Sequence, residues 1–415
     1  MKDVKLVSKR FHLLNSHTLE VAKANGVYGD ALKKAYDLES VEIIQIIKES
    51  GLRGKGGGGA LAGEKWLLMP QESERENFLV VNCDESEPGT FKDRQIISKD
   101  PHLLIEGILI TCRAIKAKHA YIYIRGEYKT FQDILQGAVD EAYEDGLLDS
   151  CDITIHRGAG AYICGEKSAL LESMEGKRGH PRLKPKQKEC EWFFDHPTLV
   201  NNVETIASIP HILQHGAEAY RSYGTTQSPG SLLFAMSGHV NKRGVYEAEF
   251  GTSMWEYIQH FGGGIKNGKK LKAVIPGGAS TEVLNAGEVL NAKLDYESMK
   301  EMGSALGTGA MIVMDEDTNM VEALKNLLEF YHEESCGQCT PCREGTGWSN
   351  KLLAKILSGK GSIQDIDKLL EISDTMNGKT ICVFAPALSS VINSFIGKFR
   401  DEFEAYNQPS AKGIQ

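Results

Sequence analysis

Three cysteines within a run of seven residues, joined by a fourth further along, constrain this 415-residue chain more than any other feature of its sequence. They are Cys336, Cys339, Cys342 and Cys382. A short loop can hold three irons of a [4Fe–4S] cluster while a distant segment supplies the fourth ligand. The spacing therefore predicts an iron–sulfur cluster, and with it a protein that transfers electrons.

A structural zinc site is the alternative for four cysteines. Such sites usually pair two separated C-x2-C knuckles, whereas three of the ligands here fall in one run. The pattern favours the cluster. A metal analysis that found zinc without iron or labile sulfide would decide for the zinc protein.

The remaining five cysteines are scattered, and an odd total of nine argues against a disulfide framework. We interpret them as small buried hydrophobic residues. They are Cys83, Cys112, Cys151, Cys164 and Cys190.

Charge and hydropathy exclude several classes of protein. The net charge is −9 and no long basic run is present, so the surface is unsuited to nucleic acid. Residues 1–10 lack the apolar core of a signal peptide. The most apolar stretch, 103–115, is interrupted by Glu106 and Arg113. We expect a cytoplasmic chain without membrane insertion, which meets the inner membrane only through partner subunits.

The first half of the chain has the pattern of an α/β layer. A short helix at 40–51 leads into a glycine-rich loop, and strands then alternate with helices, which predicts a parallel or mixed sheet. The predicted strands are 78–81, 120–124 and 152–156, and the predicted helices are 101–115, 132–145 and 166–174. The polar stretch 176–195 has no periodicity and is expected to be a long functional loop.

In the second half of the chain the predicted type of secondary structure changes twice. From about Ser228, short strands predict a small β-rich domain, and after Asp315 amphipathic helices predict a helical domain around the cysteines. The predicted strands are 232–237, 244–250 and 271–275, with a helix at 253–261. The later helices are expected at 321–331, 347–357, 363–376 and 388–403.

The glycine-rich loop runs from Gly54 to Gly59 and matches G-x-G-x-x-G. A Rossmann fingerprint should follow a strand, and here a helix precedes it, so we discount that fold. Backbone amides in such a loop can still cradle a phosphate or approach a planar ring. A mobile surface loop is the alternative.

An acidic loop, Asn82 to Gly89, follows the predicted strand 78–81. Ligand clefts in α/β sheets open at the carboxyl ends of the strands. Carboxylates repel phosphate but accept hydrogen bonds from hydroxyl groups, so the loop suits the polyol part of a ligand. A solvated turn is the alternative.

Five segments in this order resemble one family, the NADH-binding flavoprotein subunits of respiratory complex I, the NADH:quinone oxidoreductase. They are GLRGKGG (51–57), NCDESEPGTFKDR (82–94), GAGAYICGE (158–166), VNNVET (200–205) and ESCGQCTPCREG (334–345). The resemblance runs from about residue 14 to about residue 405. It implies an N-terminal helical segment (1–50), an FMN-binding α/β domain (51–225), a ubiquitin-like β-grasp domain (226–312) and a helical bundle with a [4Fe–4S] cluster (313–415).

In that family FMN takes a hydride from NADH and passes single electrons to the cluster, and the protein sets geometry and potential. The resemblance implies a [2Fe–2S] thioredoxin-like subunit and a large multi-cluster subunit as partners. It implies no catalytic acid or base. Residues matching FMN contacts of the family are Gly54, Gly56, Gly57, Lys65, Asn82, Asp84, Glu85, Ser86, Gly165, Glu166, Asn201 and Asn202. Lys65 is the expected phosphate partner.

The nicotinamide side departs from the family pattern. The family has a phenylalanine, a proline and a second phenylalanine where this chain has Ala60, Leu61 and Leu68, and those rings stack on the adenine and nicotinamide. The family's Gly-Glu-Glu reads Gly-Glu-Lys at 165–167, and its Pro-Pro-Phe-Pro-Ala loop reads PKQKE at 185–189. Stacking contacts are worth about 0.5–1.5 kcal/mol each. We therefore expect a degenerate NADH pocket.

The same changes add positive charge near the expected flavin, from Lys167, Lys184, Lys186 and Lys188. A basic mouth suits a small acidic redox protein, such as a flavodoxin or ferredoxin, as electron donor. Two other functions stay open. One is the diaphorase component of an NAD-linked hydrogenase or formate dehydrogenase, and the other is a non-catalytic relay or scaffold subunit.

Overall fold

The computed structural model describes residues 4–184 and 189–406. The helices are α1 (Leu19–Ala24), α2 (Asp30–Asp37), α3 (Ser40–Ser50), α4 (Ala62–Trp66), α5 (Asp93–Lys99), α6 (Pro101–Ile115), α7 (Lys129–Glu144), α8 (Lys167–Met174), α9 (Val203–Ala207), α10 (Ile209–His215), α11 (Ala217–Arg221), α12 (Met254–His260), α13 (Ala286–Asn291), α14 (Tyr296–Glu301), α15 (Met320–Glu334), α16 (Thr340–Lys355), α17 (Ile363–Met376) and α18 (Phe384–Ala405). The strands are β1 (Asn77–Cys83), β2 (Ala117–Ile124), β3 (Asp152–Arg157), β4 (Glu191–Phe193), β5 (His196–Asn202), β6 (Ser231–Gly238), β7 (Gly244–Glu249), β8 (Leu271–Ile275), β9 (Leu284–Asn285) and β10 (Ala310–Asp315).

The first sheet has the strand order β3-β2-β1-β5-β4. Its four longer strands are parallel, and β4 pairs antiparallel with β5 at one edge. The central strand β1 contains the apolar run Phe78 to Val81 and has buried side chains on both faces, as expected for a strand covered on both sides. The predicted mixed α/β layer is confirmed.

The predicted elements of this sheet agree closely with the structure. Helix α6 has the predicted bounds, and α3 ends at Gly51, whose φ of 68° is a left-handed conformation that glycine adopts readily. On α3, Ile43, Ile44 and Ile47 are buried, whereas Val41 is exposed.

The prediction of one long loop at 176–195 was partly wrong. It contains the edge strand β4, which the polar composition hid. Residues 185–188, which carry most of the substituted family loop, lie outside the described residues. The prediction also missed β5, although the VNNVET motif spans its end.

The second sheet has the order β7-β6-β10-β8-β9. Strand β10, which the sequence analysis missed, lies in the centre, parallel to β6 and antiparallel to β8. The predicted strands β6, β7 and β8 and the predicted helix α12 are present. A small β-rich domain is therefore confirmed.

Helices α15 to α18 form the C-terminal domain around a shared apolar core. Two helices begin earlier than predicted: α16 begins at Thr340, seven residues before the predicted start, and α18 begins at Phe384, four residues before it. Pro341 sits in the first turn of α16, where a missing N–H costs nothing. Cys339 caps this helix and Cys342 lies in its first turn, so the three neighbouring cysteines do not share one tight loop.

Two further findings are not confined to one domain. No helix within the described ranges combines the length and apolar character that crossing a bilayer requires. All nine cysteines are free thiols in the structure. Of the five scattered ones, Cys190 is half-buried and the other four are buried as predicted.

Candidate functional site

A cavity of about 400 Å³ opens where the two sheets and the helical domain meet. Its volume is in the range of small-molecule and cofactor sites. The α/β domain contributes the glycine-rich loop and the polar loop after β1, which lies at the carboxyl end of a parallel strand. The β-rich domain contributes Ser280, Thr281, Ala305, Gly307 and Thr308, and the helical domain contributes Cys382, Val383, Phe384 and Ala387.

The structure gathers nine of the twelve sequence-predicted cofactor residues on this wall. They are Gly56, Gly57, Asn82, Asp84, Glu85, Ser86, Gly165, Glu166 and Asn202. Gly54, Lys65 and Asn201 are not among the described residues that line the cavity. Sequence reasoning missed the contribution of the β-rich domain, because residues so far apart in the chain carry no joint signal.

The glycine-rich loop is held in place by the β-rich domain. The Gly54 amide donates to the Ala60 carbonyl at 2.7 Å, and the hydroxyl of Tyr296 donates to the Gly54 carbonyl at 3.1 Å. The Arg53 guanidinium lies over the Tyr296 ring, 4.8 Å from its centroid. A Cβ on Gly59 would lie 2.5 Å from that ring, so glycine is required there. These contacts make the loop part of a rigid wall.

The polar loop after β1 is joined to the segment before α8. The Asn82 side chain donates to the Gly165 carbonyl at 2.9 Å, and the Ser86 hydroxyl donates to the Asp84 carboxylate at 3.1 Å. Burial raises the pKa of Asp84 to about 7, so near neutral pH its carboxyl is present in both protonation states. Such a group can accept a hydrogen bond from a ligand hydroxyl or donate one to it.

Two predicted acids are engaged by the protein itself. Glu85 accepts hydrogen bonds from the Asp93 amide at 2.7 Å and the Tyr128 hydroxyl at 2.9 Å, and burial raises its pKa to about 7. Glu166 caps α8 by accepting from the Ser168 and Ala169 amides, each at 3.0 Å. Both side chains therefore shape the wall, and the solvated-turn alternative is wrong.

A buried ionic network in the wall was missed by sequence reasoning. Lys92 Nζ donates to Asp93 Oδ1 at 2.7 Å and lies 2.9 Å from Glu204 Oε2. Lys55 Nζ lies 3.2 Å from the other oxygen of Glu204. The Asn202 side-chain amide donates to Asp93 Oδ2 at 2.6 Å. Lys55, Lys92 and Glu204 each lie within one of the family motifs quoted above. That position in the motifs was the sequence signal that could have identified them.

Lys65 and Asn201 are bonded to protein groups outside the cavity lining. Lys65 Nζ donates to the Val200 carbonyl, and its pKa is lowered to about 8 by burial and by neighbouring Lys167. The Asn201 amide, oriented so that its oxygen accepts, receives a hydrogen bond from Trp66 Nε1 at 2.9 Å.

The four motif cysteines converge on a second, small cavity. The residues that line it include Cys336 from the segment between α15 and α16, Cys339 and Cys342 from the start of α16, and Cys382 from the segment before α18. The Ile381 amide donates to Cys339 Sγ at 3.4 Å, and the Ser335 hydroxyl lies 3.3 Å from Cys342 Sγ. Donors aimed at sulfur are a common means of tuning an iron–sulfur cluster, so the thiol set fits such a group.

The two cavities share part of their walls. Ile163, Cys382 and Phe384 line both of them. A group bound in the larger cavity therefore has a cysteine of the smaller one as a direct neighbour.

The expected nicotinamide side carries no aromatic ring at its three altered positions. Ala60 and Leu61 are exposed, and Leu68 is half-buried. Lys167 forms an ion pair with Glu191, so part of the added positive charge is balanced. Lys184 is exposed, whereas Lys186 and Lys188 lie outside the described residues.

Three family models match the chain. The Nuo51 FMN-binding domain matches residues 47–211, the SLBB domain matches 232–313, and the NADH-ubiquinone oxidoreductase-F iron-sulfur binding region matches 322–406. The last of these decides against the zinc alternative. The glycine-walled cavity and the four converging thiols fit these two groups, so the chain is an FMN and [4Fe–4S] protein.

Named relatives agree with the domain matches. The F subunit of NADH-quinone oxidoreductase from Rickettsia bellii is 46% identical over 403 residues, covering 95% of this chain and 96% of the relative. The corresponding protein of Rhodobacter capsulatus is 48% identical over 372 residues, covering 87% of this chain and 86% of the relative. That of Mycobacterium tuberculosis (strain ATCC 25618 / H37Rv) is 46% identical over 388 residues, covering 91% and 87%.

Among solved structures, a chain of an NAD+-reducing [NiFe]-hydrogenase in the H2-reduced state superposes with a TM-score of 0.86. It is 33% identical, and the match covers 95% of this chain and 67% of that one. The architecture is thus common to two kinds of redox enzyme. With relatives above 40% identity over most of its length, this oxidoreductase chain belongs to the family of NADH-quinone oxidoreductase F subunits.

Proposed function

We propose that this chain is the electron-input subunit of a complex I-like assembly, taking electrons at FMN and releasing them through its [4Fe–4S] cluster. The observation that carries this proposal is Cys382, which lines both the larger cavity and the cluster cavity. Bound FMN supplies the conversion between two-electron and one-electron chemistry. The chain's own residues supply binding and the short separation between the two sites.

The proposed cofactor site consists of the nine gathered residues together with Gly54, Lys65 and Asn201, which the family resemblance adds. The glycine amides would face phosphate or ring, since no side chain intervenes. Asp84 and Ser86 would hold the ribityl hydroxyls, because carboxylate and hydroxyl groups pair well with a polyol. The proposed cluster ligands are Cys336, Cys339, Cys342 and Cys382. We assign no catalytic acid or base.

We propose four structural units, at residues 1–50, 51–225, 226–312 and 313–415. Three of them are supported by the separate family matches. The third boundary falls within β10, so the second sheet itself extends to Asp315. For this sheet we propose a β-grasp topology, supported by its mixed five-stranded order.

We propose that the partners are further subunits of a peripheral arm, among them a [2Fe–2S] thioredoxin-like subunit and a large multi-cluster subunit. The names of the relatives support partner subunits of this kind. We further propose a cytoplasmic location at the inner membrane, reached through those partners.

The donor is proposed to be a small acidic redox protein, such as a flavodoxin or ferredoxin, in place of NADH. The absence of rings at Ala60, Leu61 and Leu68 supports this proposal. The ion pair between Lys167 and Glu191 reduces the local positive charge, so the electrostatic part of the argument is weaker than the loss of stacking.

An anaerobic titration tests the donor. The purified, FMN-loaded chain is titrated with NADH while the visible flavin absorbance is followed, with dithionite as positive control. We expect bleaching by dithionite and none by millimolar NADH. Stoichiometric bleaching at micromolar NADH would show that the chain oxidises NADH, and the proposal of a protein donor would be wrong.

A diaphorase role in a hydrogenase is the second candidate, and the superposition on an NAD+-reducing [NiFe]-hydrogenase favours it. A diaphorase of a formate dehydrogenase belongs to the same class. Identification of the proteins that co-purify with the chain separates these assemblies. A non-catalytic relay or scaffold would hold a flavin that no donor reduces, or none at all.

A further inference from the structure

We infer that His180 and Glu334 are positioning residues for the cluster, because they tie the segment that carries Cys336 to the domain that carries the flavin site. This inference rests on the cofactor sites proposed above and deepens them. Neither side chain is among the described lining residues of the two cavities. Both therefore act through groups that do line them.

The two proposed cofactor sites belong to different parts of the chain. Gly165 and Glu166 of the larger cavity lie in the α/β domain, whereas the ligand segment, residues 334–337, follows the body of α15 in the helical domain. A metal ligand needs outer partners that fix its orientation. Here such partners also have to span two domains.

The first bond between the domains is made by Glu334, the last residue of α15. Its carboxylate accepts a hydrogen bond from the Tyr162 amide at 3.0 Å, and Tyr162 lines the larger cavity. A carboxylate at the C-terminus of a helix meets the negative end of the helix dipole, which is unfavourable. The bond to a backbone N–H offsets that cost, and it stands two residues before Cys336.

The second bond is made by His180, which lies in the segment after α8. Its Nε2 is 3.2 Å from the carbonyl oxygen of Cys336. Because a carbonyl oxygen can only accept, Nε2 carries the hydrogen and donates it. This bond holds the main chain of a cluster ligand, and the main chain sets the direction in which that residue presents its thiol.

The segment that carries His180 is itself joined to the wall of the larger cavity. Two residues further on, the Arg182 amide donates to the Ser168 hydroxyl at 2.9 Å. That hydroxyl donates to the carboxylate of Glu166, which lines the cavity. The imidazole therefore extends from a support that also shapes the flavin site.

The other residues of the ligand segment are bonded within the helical domain. The Ser335 hydroxyl lies 3.3 Å from Cys342 Sγ, and the Gly337 carbonyl accepts from the Arg343 guanidinium at 2.7 Å. Successive residues of the segment thus bond alternately to the α/β domain and to their own domain. This alternation fixes Cys336 relative to both cofactor sites.

The test measures how firmly the full-length, cofactor-loaded chain holds its cluster. In His180→Leu and Glu334→Leu, we expect the FMN and iron contents of the purified protein to match those of the parent. Iron loss to an added chelator should be about 2- to 10-fold faster without the His180 bond and about 10- to 100-fold faster without the charged acceptor. The EPR spectrum of the dithionite-reduced cluster should also change, since the ligand segment is less ordered.

Conservative variants separate the bonds from general packing. His180→Gln keeps an N–H donor and Glu334→Gln keeps an acceptor oxygen, so both should retain most of the parent's EPR spectrum and iron-release rate. The matched controls are Arg178→Leu and Glu333→Leu, at exposed neighbouring positions whose side chains make neither bond. Both controls should behave as the parent does.

His180→Ala and Glu334→Ala, which add no apolar bulk, serve as a second pair if a leucine variant fails to fold, and they should show the same changes. Parental iron release and EPR spectra in the variants that lack a bond would overturn the inference while leaving the cluster site intact. Equal changes in the conservative variants would overturn it too, because the effect would not depend on the bonds. A parent chain without iron and labile sulfide would instead remove the proposed function itself.

Discussion

Restoring aromatic rings at the glycine-rich loop should restore NADH binding. The change is Ala60→Phe together with Leu68→Phe. Ala60 is exposed and Leu68 is half-buried, so both rings can be added without overfilling the core. The loop that carries Ala60 is held at its base by the Gly54 amide, which fixes where the first ring projects.

The size of the effect follows from the number of rings. Each aromatic contact contributes about 0.5–1.5 kcal/mol beyond area burial, so two contribute about 1–3 kcal/mol. That corresponds to a fall of about 5- to 150-fold in the NADH dissociation constant. The assay is the anaerobic NADH titration of flavin absorbance, run on both proteins under the same conditions.

Leu67→Phe is the matched control, because Leu67 is the exposed neighbour of Leu68 and is not one of the family's aromatic positions. The reasoning is refuted if the double variant binds NADH no better than the parent. It is equally refuted if the control gains as much, since the gain would then reflect general hydrophobicity.

Three further predictions concern the cluster, the pH dependence and the packing. Cys382→Ser should lower the iron content per chain while leaving bound FMN, whereas Cys190→Ser, outside both cavities, should change neither; iron and flavin assays measure this. Glu106 is buried, its Oε1 has no hydrogen-bond partner among the described residues, and burial raises its pKa to about 8. Because the folded state then holds a proton that the unfolded state has lost, the free energy of unfolding falls as pH rises from about 4.5 to 8. Glu106→Gln should flatten that fall, in urea unfolding at pH 6, 7 and 8, by up to several kcal/mol at pH 8. Gly63→Ala would place a Cβ 2.4 Å from the Cα of Lys48, so it should destabilise the chain by about 1–3 kcal/mol or more in the same unfolding assay.

Each of these has a clear contrary result. If the Cys382→Ser variant retained the full iron content, Cys382 would not be a ligand of the cluster. Parallel pH profiles for the parent and the Glu106 variant would mean that this carboxyl is already ionised in the fold. For the packing test, Gly137→Ala is the control, since its added Cβ would have no neighbour within 4 Å. It should be neutral or stabilising by about 0.5–1 kcal/mol, and equal destabilisation of both variants would contradict the clash.

The sequence alone was enough wherever the information is local. The bounds of helix α6 were predicted correctly because both signals, the spacing of its apolar residues and the proline at its start, lie within the same fifteen residues. The four cysteines and the five motifs identified the family, since each is a short string with a chemical reason for its residue types. Strand β10 was missed because its place in the centre of a sheet depends on partners far away in the chain.

Only the tertiary structure decided how the site is assembled. The cavity has walls from three parts of the chain, and neither Ser280 nor Thr308 carries any mark in sequence of facing the glycine-rich loop. The ion pairs of Lys55 and Lys92 with Glu204 likewise depend on burial, because the packing of distant segments brings these charged side chains together away from water. Residue type and spacing determine which chemistry is possible, but burial and distance decide which groups act together, and both arise only when distant segments pack.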